Sequence, residues 1–321
     1  MNSLPHELHC TIASHLIDRT DLATYRLTNK RTALAGAELL FAIFPAFPTH
    51  STITRMKNLL ASPHARHVHT ITYSGHVPNI PPSQQIINLQ PRIFCSVVRG
   101  FGTRVTHLYA TNLSLLSLSP LEDAADHKFL RSCKNLRTVD LSFDGCTYDP
   151  ESSLERIREL LGGLEEVRDL ALRFSHRVLL RDCVPVGRRW RGLRRFEVGN
   201  VEGKEIEIVG FLVDHKDTLE GVRLEGVLLD VHWEAERAKE WRRIFGALGE
   251  CTKLEEGYVR EEVRPDRVHD ERGSFVREED GNVKEIGEWR VGEREVVVRT
   301  NVTRWLVGGE YDEFCRIRGR T

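Results

Sequence analysis

The sequence predicts an α/β protein, with three short N-terminal helices followed by a stack of strand-plus-helix units whose strands lie parallel. Two patterns carry this. Apolar residues recur at helical spacing through residues 4–41, and the motif apolar-x-x-apolar-x-apolar then returns seven times between Val68 and Val259, with helical stretches between several copies. A chain of 321 residues that is 40% apolar and 29% charged has the composition of a folded globular protein. A non-repetitive α/β domain with a parallel sheet is the competing architecture.

The helical unit spans residues 1–46. Pro5 stands at a helix start, where its missing N–H costs nothing. Leu8, Ile12 and Leu16 follow at a spacing of four, with Ala13 beside them, and make one apolar stripe. Asp18 and Thr20-Asp21 are N-cap residue types that open a second helix carrying Leu22, Tyr25, Arg26 and Leu27. Asn29-Lys30 marks a bend before a third helix with Ala33, Leu34, Ala37, Leu40 and Phe41, which ends by Pro45. So small a unit buries too little apolar surface alone, and its seam is expected to face a partner, the rest of the chain, or both.

The run Leu4-Pro5-x-Glu7-Leu8-x-x-x-Ile12-x-x-x-Leu16, followed by Asp21-Leu22-x-x-x-Arg26-Leu27-x-x-Lys30, resembles the F-box over roughly residues 3–44. Its N-terminal placement is similar to that of many fungal F-box proteins. The resemblance implies docking onto the Skp adaptor, and through it a cullin, of an SCF-type ubiquitin ligase. By position, Leu4, Pro5, Leu8, Ile12, Leu16, Leu22 and Leu27 match the family's apolar adaptor-contacting motif. Thr28 and Arg31-Thr32 stand where the family often has a Cys and a Trp. The alternative is that these leucines pack a helical cap against the rest of the chain.

Residues 47–64 read as a linker. Pro45, Pro48 and Ser51-Thr52 mark a hinge, and Ile53 to Leu60 a short helix ended by Pro63-His64. The repeats begin at Val68, Val105, Leu136, Val167, Leu193 and Leu219, with a weaker copy at Leu254/Gly257/Val259; the strides are 37, 31, 31, 26, 26 and 35 residues. Leu154 to Leu161, Ile206 to Val213 and Trp241 to Leu248 supply helices between them. A strand-plus-helix unit cannot bury its own apolar face, so such units stack. Over residues 65–260 the pattern resembles an irregular leucine-rich repeat, with strides mostly longer than the usual, about 20–29 residues. The family's turn Asn or Cys is largely absent, Cys146 alone lying near such a place.

Residues between the apolar positions of a strand point to the other face. In a curved solenoid that face is concave and is the usual gripping side. The target-binding candidates there are His107, Tyr109, Asp140, Arg173, Arg195, Glu197, Arg223, Glu225, Tyr258 and Arg260. Arg and Tyr bring large contact area and directed hydrogen bonds. Opposite charges on neighbouring strands that merely neutralise one another are the other reading. Arg173, Arg195 and Arg223 fall on successive strands and suit a phosphorylated target, although Asp169, Glu197 and Glu225 interleave with them.

No G-x-G-x-x-G, P-loop, H-E-x-x-H or G-x-S-x-G occurs, so no catalytic residue and no cofactor is expected. His64, His67 and His69 cluster without a Cys or carboxylate at ligand spacing, and no metal site is expected either. Lys plus Arg number 46 against 47 Asp plus Glu, a balance that offers no field for nucleic acid or an anionic membrane. The basic stretch Gly187 to Arg195 holds Trp190 and could stack a base, but Leu193 belongs to a repeat, which puts the arginines at a loop edge. Seven cysteines without a C-x-x-C imply free thiols. With no leader-like or membrane-length apolar run, a cytoplasmic or nuclear place is expected. Residues 261–321 read as a charged excursion and then two or three short strands, at Trp289 to Val291, Glu295 to Thr300 and Trp305 to Val307, that cap the stack.

These readings combine into a non-catalytic substrate-recognition subunit of a ubiquitin ligase, with an unknown protein as its target. A repeat scaffold that binds a protein without any ligase is the alternative. An enzyme has no supporting constellation.

Overall fold

The computed structural model describes residues 4–16, 18–76, 90–118, 123–144, 150–185, 187–230, 234–262, 285–292 and 295–299. The chain divides into two compact units, residues 1–156 with 163–166, and residues 157–162 with 167–321. The division falls inside the stretch expected to be one repeat domain.

The first unit opens with α1 (His6–Ser14), α2 (Arg19–Arg26) and α3 (Lys30–Phe41), the first two packed on the third. Each start has a physical cause. Asp18 accepts from the Thr20 backbone N–H at α2. At α3 the Asn29 side chain accepts from the N–H groups of Arg31 and Thr32, while Thr32 Oγ1 accepts from the Asn29 N–H, a capping box that satisfies three orphan donors.

Four parallel strands follow in chain order: β1 (Ile43–Ala46), β2 (Thr70–Ser74), β3 (His107–Leu113) and β4 (Thr138–Phe143). Between them run α4 (His50–Leu60), α5 (Gln90–Phe101) and α6 (Asp123–Cys133). The sequence placed a hinge where β1 lies. Pro45 has no N–H to give a ladder, but among the described residues β1 is the edge strand and pairs only with β2, so that donor is not needed.

α7 (Pro150–Gly163) leads to the second unit, whose strands β5 (Asp169–Leu179), β6 (Arg195–Gly203), β7 (Gly221–Leu229) and β8 (Glu256–Glu262) are again parallel and in order. α8 (Leu180–Cys183), α9 (Glu205–His215) and α10 (Glu234–Gly249) lie between them. β9 (Glu285–Gly292) and β10 (Glu295–Arg299) then add antiparallel. The expected strand at Trp305 to Val307 and the turn residue Cys146 lie outside the described residues.

Every apolar position of the six stronger copies is buried, from Val68, Ile71 and Tyr73 to Leu219, Val222 and Leu224, none more than 4% exposed. Leu254 of the weaker copy is half-buried. The copies also repeat in backbone terms. Thr106 N–H donates to His69 O and Arg137 N–H to Thr106 O in the first unit; Arg194, Glu220 and Glu255 N–H donate in turn to Arg168, Arg194 and Glu220 O in the second, all at 2.7–2.9 Å. Ring contacts fill the interiors: Tyr73–Phe94–Phe129 in the first unit, Trp190–Phe211–Phe196 in the second.

Candidate functional site

α1 turns His9 and Ala13 inward, where His9 Nδ1 lies 2.9 Å from the Tyr25 hydroxyl, and leaves the leucine stripe outside. Leu4, Leu8 and Ile12 are 38, 47 and 41% exposed, and Leu27 after α2 is 87% exposed. Pro5 is exposed as well, and Leu16 half-buried. Leu22 goes the other way. At 6% exposure it is part of the helical core and unavailable to a partner. The sequence grouped Ala13 with the stripe, but Ala13 is small and sits on the turn of α1 that packs inward. Leu34, which the sequence places among the apolar residues of the third helix, and Leu39, which it does not single out, add exposed apolar surface. Arg31 Nη1 donates to Leu4 O at 3.3 Å and ties α3 to the start of α1.

The strand candidates of the first unit form two short rows. Thr70, His107 and Thr138 are opposite one another, as are Thr72, Tyr109 and Asp140. Tyr109 is exposed, while His107 and Asp140 are half-buried. The His107 ring meets His69 edge-on at 5.9 Å, and its Nδ1 lies 2.8 Å from Thr106 Oγ1.

In the second unit the candidates fall in three rows. Asp169, Arg195, Gly221 and Glu256 form one; Ala171, Glu197, Arg223 and Tyr258 the next; Arg173, Gly199, Glu225 and Arg260 the last. The side chains of Arg173, Glu197, Arg223, Glu225 and Tyr258 in the last two rows knit together. Arg173 grips Glu197 through two parallel bonds, Nε to Oε1 at 2.7 Å and Nη2 to Oε2 at 2.8 Å. Arg223 Nε approaches the same Glu197 at 3.4 Å, while its Nη2 donates to Glu225 at 2.8 Å and its guanidinium lies 4.8 Å from the Tyr258 ring centre. The Glu225 hydrogen bond, with the charges of Glu225 and Glu197, pushes the Arg223 pKa further up. Arg195 stands in another row, exposed. Thus Glu197 already holds two of the three arginines suited to a phosphate, and the face is a mixed-charge ladder.

The remaining chemistry is sparse. A mostly apolar cavity of about 210 Å³ lies in the second unit, lined by Leu180, Phe196, Ile206, Phe211 and Val227 among others. It is smaller than the roughly 300–1,000 Å³ of ligand pockets. Its lining carboxylate Glu207 accepts from the Lys204 N–H and so caps α9. Trp190 is 1% exposed and stacks on His215, so it cannot receive a base. His64 stacks on Phe41 at 4.5 Å. Among the described residues one group of metal-ligating types does converge, and the sequence does not suggest it. His6, Cys10 and Glu38 bring one ligand atom each within 4.8 Å of one another. Glu38 is far from the other two in the chain; the visible signal was the His-x-x-x-Cys spacing on one helix.

Among the described residues no helix is long and apolar enough to cross a membrane. Neither a protein-family model nor a curated protein matches this chain.

Proposed function

We propose that the chain is a substrate-recognition subunit of an SCF-type cullin ubiquitin ligase, its N-terminal helices an F-box for the Skp adaptor and its leucine-rich-repeat-like strands a surface for a protein target. The observation that carries this reading is the exposed stripe of Leu4, just before α1, with Leu8 and Ile12 on it, set in the Leu-Pro-x-Glu-Leu pattern. Three large apolar side chains held outward on a small helical unit are a costly surface unless a partner covers them. Arg31, near where the family often has its Trp, is engaged with Leu4 O, and Leu4, Leu8, Ile12 and Leu27 are the exposed apolar anchors. The subunit makes and breaks no covalent bond. Tethering a target beside the loaded enzyme raises the effective concentration of its lysines, and that is the source of the rate.

The test is co-purification of the full chain with the adaptor and cullin. Wild type forms a stable complex. Leu8→Asp with Ile12→Asp weakens it by roughly 30-fold or more, as expected for loss of buried anchors, while far-UV circular dichroism stays unchanged because both side chains are on the surface. Absence of a wild-type complex sinks the proposal. A target captured without the adaptor then favours the scaffold reading.

A further inference from the structure

We infer that His6, Cys10 and Glu38 form a binding site for zinc or a cation of the same class, joining α1 to α3. The residues are one turn apart on α1 and on the helix packed against it, so no loop has to reorder to assemble them. The donor set is an imidazole nitrogen, a thiol sulfur and a carboxylate oxygen, which suits zinc and excludes the hard cations calcium and magnesium, whose ligands are oxygens.

The distances fit as well. A tetrahedral zinc with Zn–S near 2.3 Å and Zn–N near 2.05 Å has an S···N edge of about 3.5 Å. Cys10 Sγ and His6 Nε2 are 3.5 Å apart, and Glu38 completes the triangle with all separations within 4.8 Å. A carboxylate on a flexible side chain closes the remaining gap by rotation. His6 and Glu38 are exposed and Cys10 half-buried, so the cation has an entry path, and a fourth position stays open for water or a side chain from a bound protein. The other histidine group does not compete. His64 is stacked on Phe41, and His67 Nε2 lies 3.3 Å from Arg66 Nε, beside a permanent positive charge.

The inference does not rest on adaptor docking, since Leu8 and Ile12 are not ligands. The experiment uses the full chain, freed of metal by a chelator and kept reduced under argon, then titrated with Co²⁺. A single equivalent should produce a thiolate-to-cobalt charge-transfer band in the near ultraviolet and strong visible bands of a tetrahedral site, both erased by zinc. Cys10→Ser removes the charge-transfer band. His6→Ala and Glu38→Gln each lower the affinity roughly tenfold or more, with the circular dichroism spectrum of the wild type. The inference is overturned by a wild type without the band at micromolar cobalt. It is overturned equally by a Cys10→Ser variant that keeps the band, because another thiol would then be the ligand.

Discussion

His215 is a buried group whose charge is decided by its two partners. Its Nδ1–H donates to Phe211 O at 2.8 Å, and its Nε2 accepts the Trp190 backbone N–H at 3.0 Å. That arrangement needs a neutral ring, since an imidazolium has no lone pair for Trp190, and burial accordingly pulls the pKa below its usual 6.5. The unfolded chain then binds a proton that the folded chain refuses. Stability is complete above about pH 7 and falls as the pH drops below about 6.5, by up to about 1.4 kcal/mol per unit until the folded value is reached. His64, lowered chiefly by burial, pulls the same way. His215→Gln should cost about 1–3 kcal/mol at pH 8 yet show a shallower decline between pH 7 and 5 in urea melts. Equal slopes in both proteins would assign the decline to other groups. A second residue-scale device is the left-handed backbone at the sixth position of β3, β6 and β7, occupied by Asn112, Asn200 and Gly226. These types tolerate positive φ, but the sequence shows them only as scattered Asn and Gly, because the strand lengths that align them are a property of the fold. A Cβ at Gly226 would run into Asn200 Oδ1, whose amide donates to Phe174 O. Gly226→Ala should therefore cost roughly 2 kcal/mol or more, read as a lowered denaturation midpoint.

At the scale of elements, legibility followed periodicity. The repeat strands are readable because their apolar positions are buried in each of the six stronger copies, and α1 is readable because Leu4, Leu8, Ile12 and Leu16 recur every four residues through it. What periodicity cannot say is which way a stripe faces when a helix has two usable sides. α1 buries a histidine and an alanine and exposes Leu8 and Ile12, the reverse of the ordinary preference, and Leu22 on the next helix obeys that preference. β1 was missed for a different reason: a four-residue strand containing proline is legible only once its edge position is known. The Arg–Glu ladder was half readable, since alternating charges were visible while Glu197's double engagement depends on register. Its energy is small because both arginines remain substantially exposed, 40% for Arg173 and 49% for Arg223, which discounts any Coulomb gain. A double-mutant cycle of Arg173→Ala and Glu197→Gln should yield a coupling of about 0.5–1 kcal/mol at 0.1 M salt, helped by the bidentate geometry. The coupling should shrink at 1 M salt, where the Debye length falls from about 10 to about 3 Å. A coupling that ignores salt would mean the pair acts through packing of the arginine stem.

Over the whole molecule, the division into two units was invisible in the sequence because the repeat runs through it without a break: Leu136 and Val167 open copies on either side with the same stride of 31 residues as the pair before them. Four cysteines report on how the units open. Cys95 and Cys133 are buried in the first, Cys183 and Cys251 in the second, and burial pushes the Cys183 thiol up to about 12 and Cys251 to about 11, with Cys133 raised further still. A thiol that is both inaccessible and protonated cannot attack a disulfide reagent. At pH 8, brief treatment of the native, metal-free chain should modify the half-buried Cys10 and spare these four, as mapped by peptide mass spectrometry. Stacked repeats are held by nearest neighbours, so cooperativity is a question of how strong each interface is. The ring chain Tyr73–Phe94–Phe129 in the first unit and the unbroken row of buried strand residues Leu170, Phe196 and Val222 in the second argue for opening of each unit as a block. As urea is raised, Cys95 and Cys133 should become reactive at one midpoint, and Cys183 and Cys251 together at one midpoint of their own or the same one. Four separate midpoints would show that the copies unfold singly, and that the compactness of each unit carries no cooperative meaning.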